Sequence, residues 1–173
     1  MIISVLKLKD HISQMLIATK GGKINISEEK DTKSVAEKFS KLIKQGDFIL
    51  LSGNLGVGKT TFIKYIINSL QKANKQKISE VTSPTFTVIN EYQIKKILIK
   101  HYDLYRIKNK KELNNLGIQE NLKDQITLVE WPEMVKKIKI KNSINLTFEY
   151  KKNYTERYLS IISKNKKFLN EFQ

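Results

Sequence analysis

One stretch of this chain dictates a strand, a tight turn and a helix in succession. Gly53-Asn54-Leu55-Gly56-Val57-Gly58-Lys59-Thr60 matches G-x-x-x-x-G-K-[ST] at every specified position. Before it stands an apolar run, Phe48 to Leu51; after it Phe62, Ile63, Ile66, Ile67 and Leu70 recur at helical spacing. A glycine-rich turn from a buried strand into a helix lets successive main-chain N–H groups converge on a phosphate, helped by the positive end of the helix. Lys59 brings a point charge to the β- and γ-phosphates, and Thr60 brings a hydroxyl to Mg²⁺. An ordinary turn with a solvated lysine is the competing explanation, and it leaves the strand-before, helix-after setting to coincidence. A nucleoside triphosphate site is expected on Gly53, Leu55, Gly56, Val57, Gly58, Lys59, Thr60 and Thr61.

The remaining pattern extends that unit. Ile24-Asn25-Ile26 reads as a short strand and Ser27 as the N-cap of a helix carrying Val35, Phe39, Leu42 and Ile43, with Gly46 at its C′ position. Phe48 to Leu51 and Ile126 to Val129 are continuous apolar runs, as in strands buried on both faces. Thr85 to Tyr92 and Ile97 to Tyr102 are joined so closely, around Lys95 and Lys96, that they should pair antiparallel. Glu112 to Leu116 suits a short helix closed by Gly117, Ser143 to Tyr150 and Arg157 to Ile162 a final hairpin, and Lys166 to Phe172 a terminal helix. The expected fold is α/β, a P-loop NTPase-like three-layer arrangement with a mixed parallel and antiparallel sheet. Residues 1–22 show little periodicity and end in Gly21-Gly22, so an N-terminal extension is expected there and a single domain over residues 23–173.

Composition removes several classes. No cysteine means no disulfide framework and no thiolate nucleophile or metal site. Apolar runs of only about four residues fall far short of the 18 or so that span a bilayer. The start MIISVLKLKD places its apolar residues before its charges, the reverse of a secretory signal, which leaves a soluble cytoplasmic protein as the expectation. The net charge of +15 suggests a polyanion, but Arg106 and Arg157 are the only arginines, and lysine lacks the bidentate fork that reads phosphates and bases. A solvated lysine-rich surface and a polyanion-facing one, densest from Lys136 onward, both fit.

A Mg²⁺ held by one hydroxyl needs carboxylates at neighbouring strand ends, and Asp103 and Glu130 both qualify. Either can meet the metal directly or through water, or orient an attacking water. For Asp103, an ion pair with Arg106 is the structural rival. A signalling GTPase is disfavoured: Asp103 is followed by Leu-Tyr-Arg rather than x-x-Gly, and Asn109-Lys110-Lys111-Glu112, which resembles the second GTPase motif, does not follow a buried strand and carries glutamate where guanine recognition wants aspartate. A small-molecule kinase usually closes an arginine-rich lid over its phosphates, which two arginines cannot build in its usual form. An ATPase whose hydrolysis serves a partner is favoured, with a small-molecule P-loop kinase using Asp103 as base as the alternative.

Five blocks, GNLGVGKTTF, SPTFTVINEY, HYDLYRI, ELNNLGI and LVEWPE, follow one another from Gly53 to Glu133 in an order and spacing that resemble the TsaE (YjeE) family, with similarity from about Ile24 to Ile162. The resemblance implies a small ATPase needed to form N6-threonylcarbamoyladenosine next to the anticodon of tRNA, acting with the TsaB and TsaD proteins. It further implies ATP phosphates on Leu55 to Thr60, Mg²⁺ on Thr60 and Glu130, Asp103 as a Walker-B-like carboxylate, and catalysis through Lys59, Asp103 and Glu130. Ser83, Pro84 and Thr85 would form a segment that senses the γ-phosphate, as switch loops do. Arg157 would lie near the nucleotide, and the adenine pocket near Glu28 to Thr32. Trp131 suits either a wall of the site or plain core, and Pro132 should force an extended exit from its strand. Asn54 stands where the family often has aspartate, and residues 1–22 have no counterpart in the family pattern.

Overall fold

The computed structural model describes residues 22–138, 140 and 143–172; the expected N-terminal extension, Gly22 apart, lies outside these. Seven strands, β1 (Ile24–Asn25), β2 (Phe48–Ser52), β3 (Ile89–Ile94), β4 (Ile97–Asp103), β5 (Gln125–Glu130), β6 (Ser143–Lys151) and β7 (Glu156–Ile162), form one sheet in the order β1-β7-β6-β2-β5-β4-β3. The centre is parallel: β2 pairs with β5 and β6, and β4 with β5. Both flanks are antiparallel, with β3 on β4, β7 on β6 and β1 on β7. The mixed sheet expected from the sequence is therefore present.

Strand alternation divides the side chains between two layers. Ile49, Leu51, Ile99, Ile126, Leu128 and Phe148 join a core with α1 (Glu29–Ser40) and α2 (Lys59–Ala73), which pack on one another over one face of the sheet. Within it Phe62 meets Phe39 edge-on at 5.7 Å and Phe148 at 5.5 Å, each pair contributing about 0.5–1.5 kcal/mol beyond its burial. Phe168, from α4 (Lys166–Phe172), closes the cluster 5.2 Å from Phe39. On the other face Phe48, Leu50, Tyr102 and Val129 pack with Leu113 of α3 (Lys110–Asn115), Ile118 and Val135. Helices on both faces give three layers.

Three local expectations are corrected. The first helix begins at Glu29 without a side-chain cap, because the Ser27 hydroxyl donates to Asn25 Oδ1 (2.7 Å) and accepts from the Arg157 N–H (3.0 Å) instead. That helix stops at Ser40, so Gly46 is not its C′ residue; its N–H donates to the Gln125 carbonyl at the entry to β2. The third strand begins at Ile89 rather than Thr85, because Val88, at φ +67°, folds back so that its N–H donates to the Pro84 carbonyl at 2.6 Å. The other strands, the Lys95–Lys96 hairpin and Gly117 (φ +58°) just past α3 fall where expected.

Candidate nucleotide site

The turn between β2 and α2 is built for backbone, not for side chains. Gly53, Gly56 and Gly58 have φ of +143°, +74° and +108°, and a Cβ on Gly53 would lie 2.5 Å from the Phe148 carbonyl oxygen. Gly58 precedes α2 with no side-chain cap, and no acidic residue occupies the first helical turn. In α1, by contrast, Glu29 and Asp31 occupy that turn. The start of α2 instead carries Lys59, a cation at the positive end of a helix, which is unfavourable by about 0.3–1 kcal/mol until an anion arrives.

Lys59 is only 4% exposed. Its ammonium donates to the carbonyls of Gly53 (2.8 Å) and Asn54 (3.0 Å) and sits 4.0 Å from the Trp131 ring centroid. Burial pulls its pKa down, against the opposing charges of Glu130, Asp103 and Glu133. A buried ammonium with carboxylates behind it and a glycine-rich main-chain turn before it is suited to meet a polyphosphate.

The two expected carboxylates end adjacent parallel strands as direct register partners, Asp103 on β4 and Glu130 on β5. Their attachments differ. Glu130 Oε1 accepts from Thr60 Oγ1 at 2.7 Å and from His101 Nε2 at 3.0 Å. Asp103 Oδ2 accepts from Ser83 Oγ at 2.5 Å and Thr85 Oγ1 at 2.7 Å, while Oδ1 accepts from the Tyr105 N–H at 3.0 Å. Glu130 thus faces the helix that starts with Lys59, and Asp103 is tied to the segment leading into β3. Arg106, the rival partner for Asp103, stacks over Phe86 instead, 5.4 Å from its centroid.

A cavity of about 330 Å³ opens between these groups. Leu55, Gly56, Gly58, Lys59, Thr60, Thr61, Thr85, Asp103 and Glu130 line it, so most of the expected site residues converge. Gly53 lies beneath the loop and Val57 is buried in the core, so neither offers a side chain to the cavity. Arg157 stands behind the loop: its Nη1 is 4.0 Å from where a Gly58 Cβ would lie, and its Nη2 donates to the Ser27 carbonyl beside the start of α1. Trp131 forms a wall, its ring 4.8 Å from that of Tyr105. The extended exit expected before Pro132 is not found. Trp131 takes φ +56°, held by its N–H on the Leu51 carbonyl at 3.3 Å and by its ring against Tyr105 and Lys59. His101 and Tyr105 were not among the residues expected from sequence. The signal for His101 was present, because a residue two before Asp103 on one strand shares its face.

The residues present fit Mg²⁺ and a nucleotide. The donors at Thr60 and Glu130 are hard oxygens. That suits Mg²⁺, which keeps several waters and takes one or two carboxylates plus phosphate oxygens. No helix among the described residues is long and apolar enough to cross a membrane.

The chain is similar to known proteins over most of its length. The family model for threonylcarbamoyl adenosine biosynthesis protein TsaE matches residues 26–159. A Rickettsia conorii protein named tRNA threonylcarbamoyladenosine biosynthesis protein TsaE is 35% identical over 141 residues, covering 82% of this chain and 78% of the relative. The Aquifex aeolicus protein of the same name is 37% identical over 127 residues, covering 73% and 89%. The crystal structure of Bacillus subtilis YdiB superposes with a TM-score of 0.65 over 86% of this chain and 89% of that one, at 24% identity, and so shares the fold. With a family model spanning most of its length and these relatives beside it, the chain belongs to the TsaE family.

Proposed function

We propose that this protein binds ATP with Mg²⁺ in the cavity beside Lys59 and hydrolyses it slowly on its own. The cycle serves formation of N6-threonylcarbamoyladenosine next to the anticodon of tRNA in the cytoplasm, with the TsaB and TsaD proteins as partners and tRNA reached through their complex. The observation that carries the ATPase reading is the first turn of α2: a buried lysine, a threonine bonded to Glu130, and no acidic residue to offset the positive helix end. The names of the relatives carry the pathway.

The main-chain N–H groups of residues 55–60 hold the phosphates, and Lys59 leaves the Gly53 and Asn54 carbonyls to meet them. Mg²⁺, when bound, supplies positive charge to the phosphate oxygens. Thr60 and Glu130 offer it oxygen, and Asp103 orients water while accepting from Ser83 and Thr85. A γ-phosphate that draws either hydroxyl away loosens the segment before β3, so Thr85 reports the state of the nucleotide. Arg157 steadies the loop and the adenine side of the site from behind. Neither arginine of the chain lines the cavity, and a partner is the expected source of the charge that speeds phosphoryl transfer.

Phosphate release measured with and without the TsaB–TsaD pair tests this. Slow turnover alone and a marked rise with the pair are expected; fast turnover indifferent to the pair would overturn it. Thr60→Ala and Glu130→Ala should each lower Mg²⁺-dependent hydrolysis on the order of 100-fold while the protein stays folded. A wild-type rate in either removes that residue from the site.

A further inference from the structure

His101 lies on β4 two residues before Asp103 and is 0% exposed. It reaches one polar partner, Glu130 Oε1, at 3.0 Å, across the register between β4 and β5. Glu130 Oε1 therefore receives two donors, Thr60 from above and His101 from within the sheet. A buried histidine satisfied by whatever is nearby is the plain explanation for such a residue. The ring is not satisfied, however: Nδ1 is buried with no hydrogen-bond partner among the described residues. A proton on Nδ1 would waste a donor, and the bond to a carboxylate requires one on Nε2. The ring thus gives its Nε2–H to Glu130 and leaves its other nitrogen without a partner among the described residues.

Glu130 has a competing attraction. It is the strongest of the opposing charges acting on the Lys59 ammonium, ahead of Asp103 and Glu133. A carboxylate free to turn toward Lys59 would neutralise the cation meant for phosphate and leave Thr60 without its partner. We infer that His101 is a positioning residue, whose Nε2–H holds Glu130 on the Thr60 side so that the carboxylate stays available to a divalent cation and Lys59 to phosphate. Histidine suits the task because it reaches across the register as a rigid ring with a donor fixed at its tip. This inference rests on the Mg²⁺–nucleotide assignment made above.

Calorimetric titration of the full chain with ADP, in MgCl₂ and again in EDTA, separates the two. Wild type should bind ADP more tightly with Mg²⁺. His101→Phe keeps the ring volume and removes the donor; His101→Asn keeps polarity but falls short of Glu130; His101→Gln keeps an N–H at similar reach. Loss of the donor should weaken Mg²⁺-dependent binding about 10- to 100-fold while leaving the affinity in EDTA unchanged, and His101→Gln should recover most of it. A wild-type Mg²⁺ effect in whichever of the Phe and Asn variants folds overturns the inference. So does an equal fall of affinity with and without the metal, the mark of a purely structural role. Wild-type protein that binds ADP no better with Mg²⁺ than without would instead sink the metal assignment beneath it.

Discussion

Gly53 shows how little room the turn between β2 and α2 leaves for variation. Its φ of +143° is poorly open to L side chains, and its missing Cβ would fall 2.5 Å from a main-chain oxygen of β6, which no rotamer can relieve. Gly53→Ala should lower stability by about 3 kcal/mol in urea denaturation, because β6 or the turn must shift. Asp47, at the opposite end of β2, makes a different point. It is buried and accepts from the Lys44 N–H at 2.8 Å, yet burial raises its carboxyl above the ordinary 3.8 despite that bond and the Lys44 charge. A carboxyl raised on folding contributes stability that is full below its unfolded pKa and is lost as pH rises through the folded one. Asp47→Asn keeps the acceptor and removes the charge, so it should melt higher than wild type at pH 7, with the gap closing as pH falls below about 4. Paired thermal melts across that range check both signs.

At the level of elements, the segment from Val81 to Val88 joins the site to the edge strand. Ser83 and Thr85 grip Asp103, the Asp103 N–H donates to the Val88 carbonyl at 3.0 Å, and the tip carries Phe86, 87% exposed. Replacing both hydroxyls, as Ser83→Ala with Thr85→Ala, should raise amide exchange across residues 83–88 at least about tenfold, since a hydrogen bond to a charged group is worth about 1.5–3 kcal/mol. Exchange in β2 and β5 should not move. This segment is also where the sequence was hardest to interpret. Thr85, Phe86, Thr87 and Val88 have every preference for a strand, and the carboxylate of Asp103, eighteen residues beyond Thr85, overrides it. Ser27 misled for the same reason: a good capping residue locally, its hydroxyl is claimed by Asn25 and by Arg157, which arrives from β7. By contrast β2, the glycine turn and α2 were legible because their chemistry is contiguous in the chain. Spacing on β4 put His101 on the face of Asp103, but its partner Glu130 lies on another strand, and only the register of β4 with β5 joins them.

Over the whole molecule, one aromatic cluster ties α2 to everything else. Phe62, two residues past Thr60, touches Phe39 of α1 and Phe148 of β6, and Phe39 carries Phe168 of α4. Phe62→Ala should cost about 3–5 kcal/mol, seen as a single cooperative shift of the denaturation midpoint. Nucleotide binding should fail in the same transition and not before it. The apolar periodicity of α2 already marked Phe62 as inward, whereas the pairing of β1 with β7 could not be foreseen, since its partners stand at opposite ends of the domain. The parallel strands also separate the molecule into a chemical pole and a silent one. Asp103 and the Lys95–Lys96 hairpin sit at opposite ends of the seven-residue β4, roughly 20 Å apart at 3.3 Å per residue. The chain has no cysteine, so Lys96→Cys would furnish a unique thiol at that far end. A dye or surface tether coupled there would leave the pocket untouched, making the protein ready for single-molecule tests of the proposed hydrolysis.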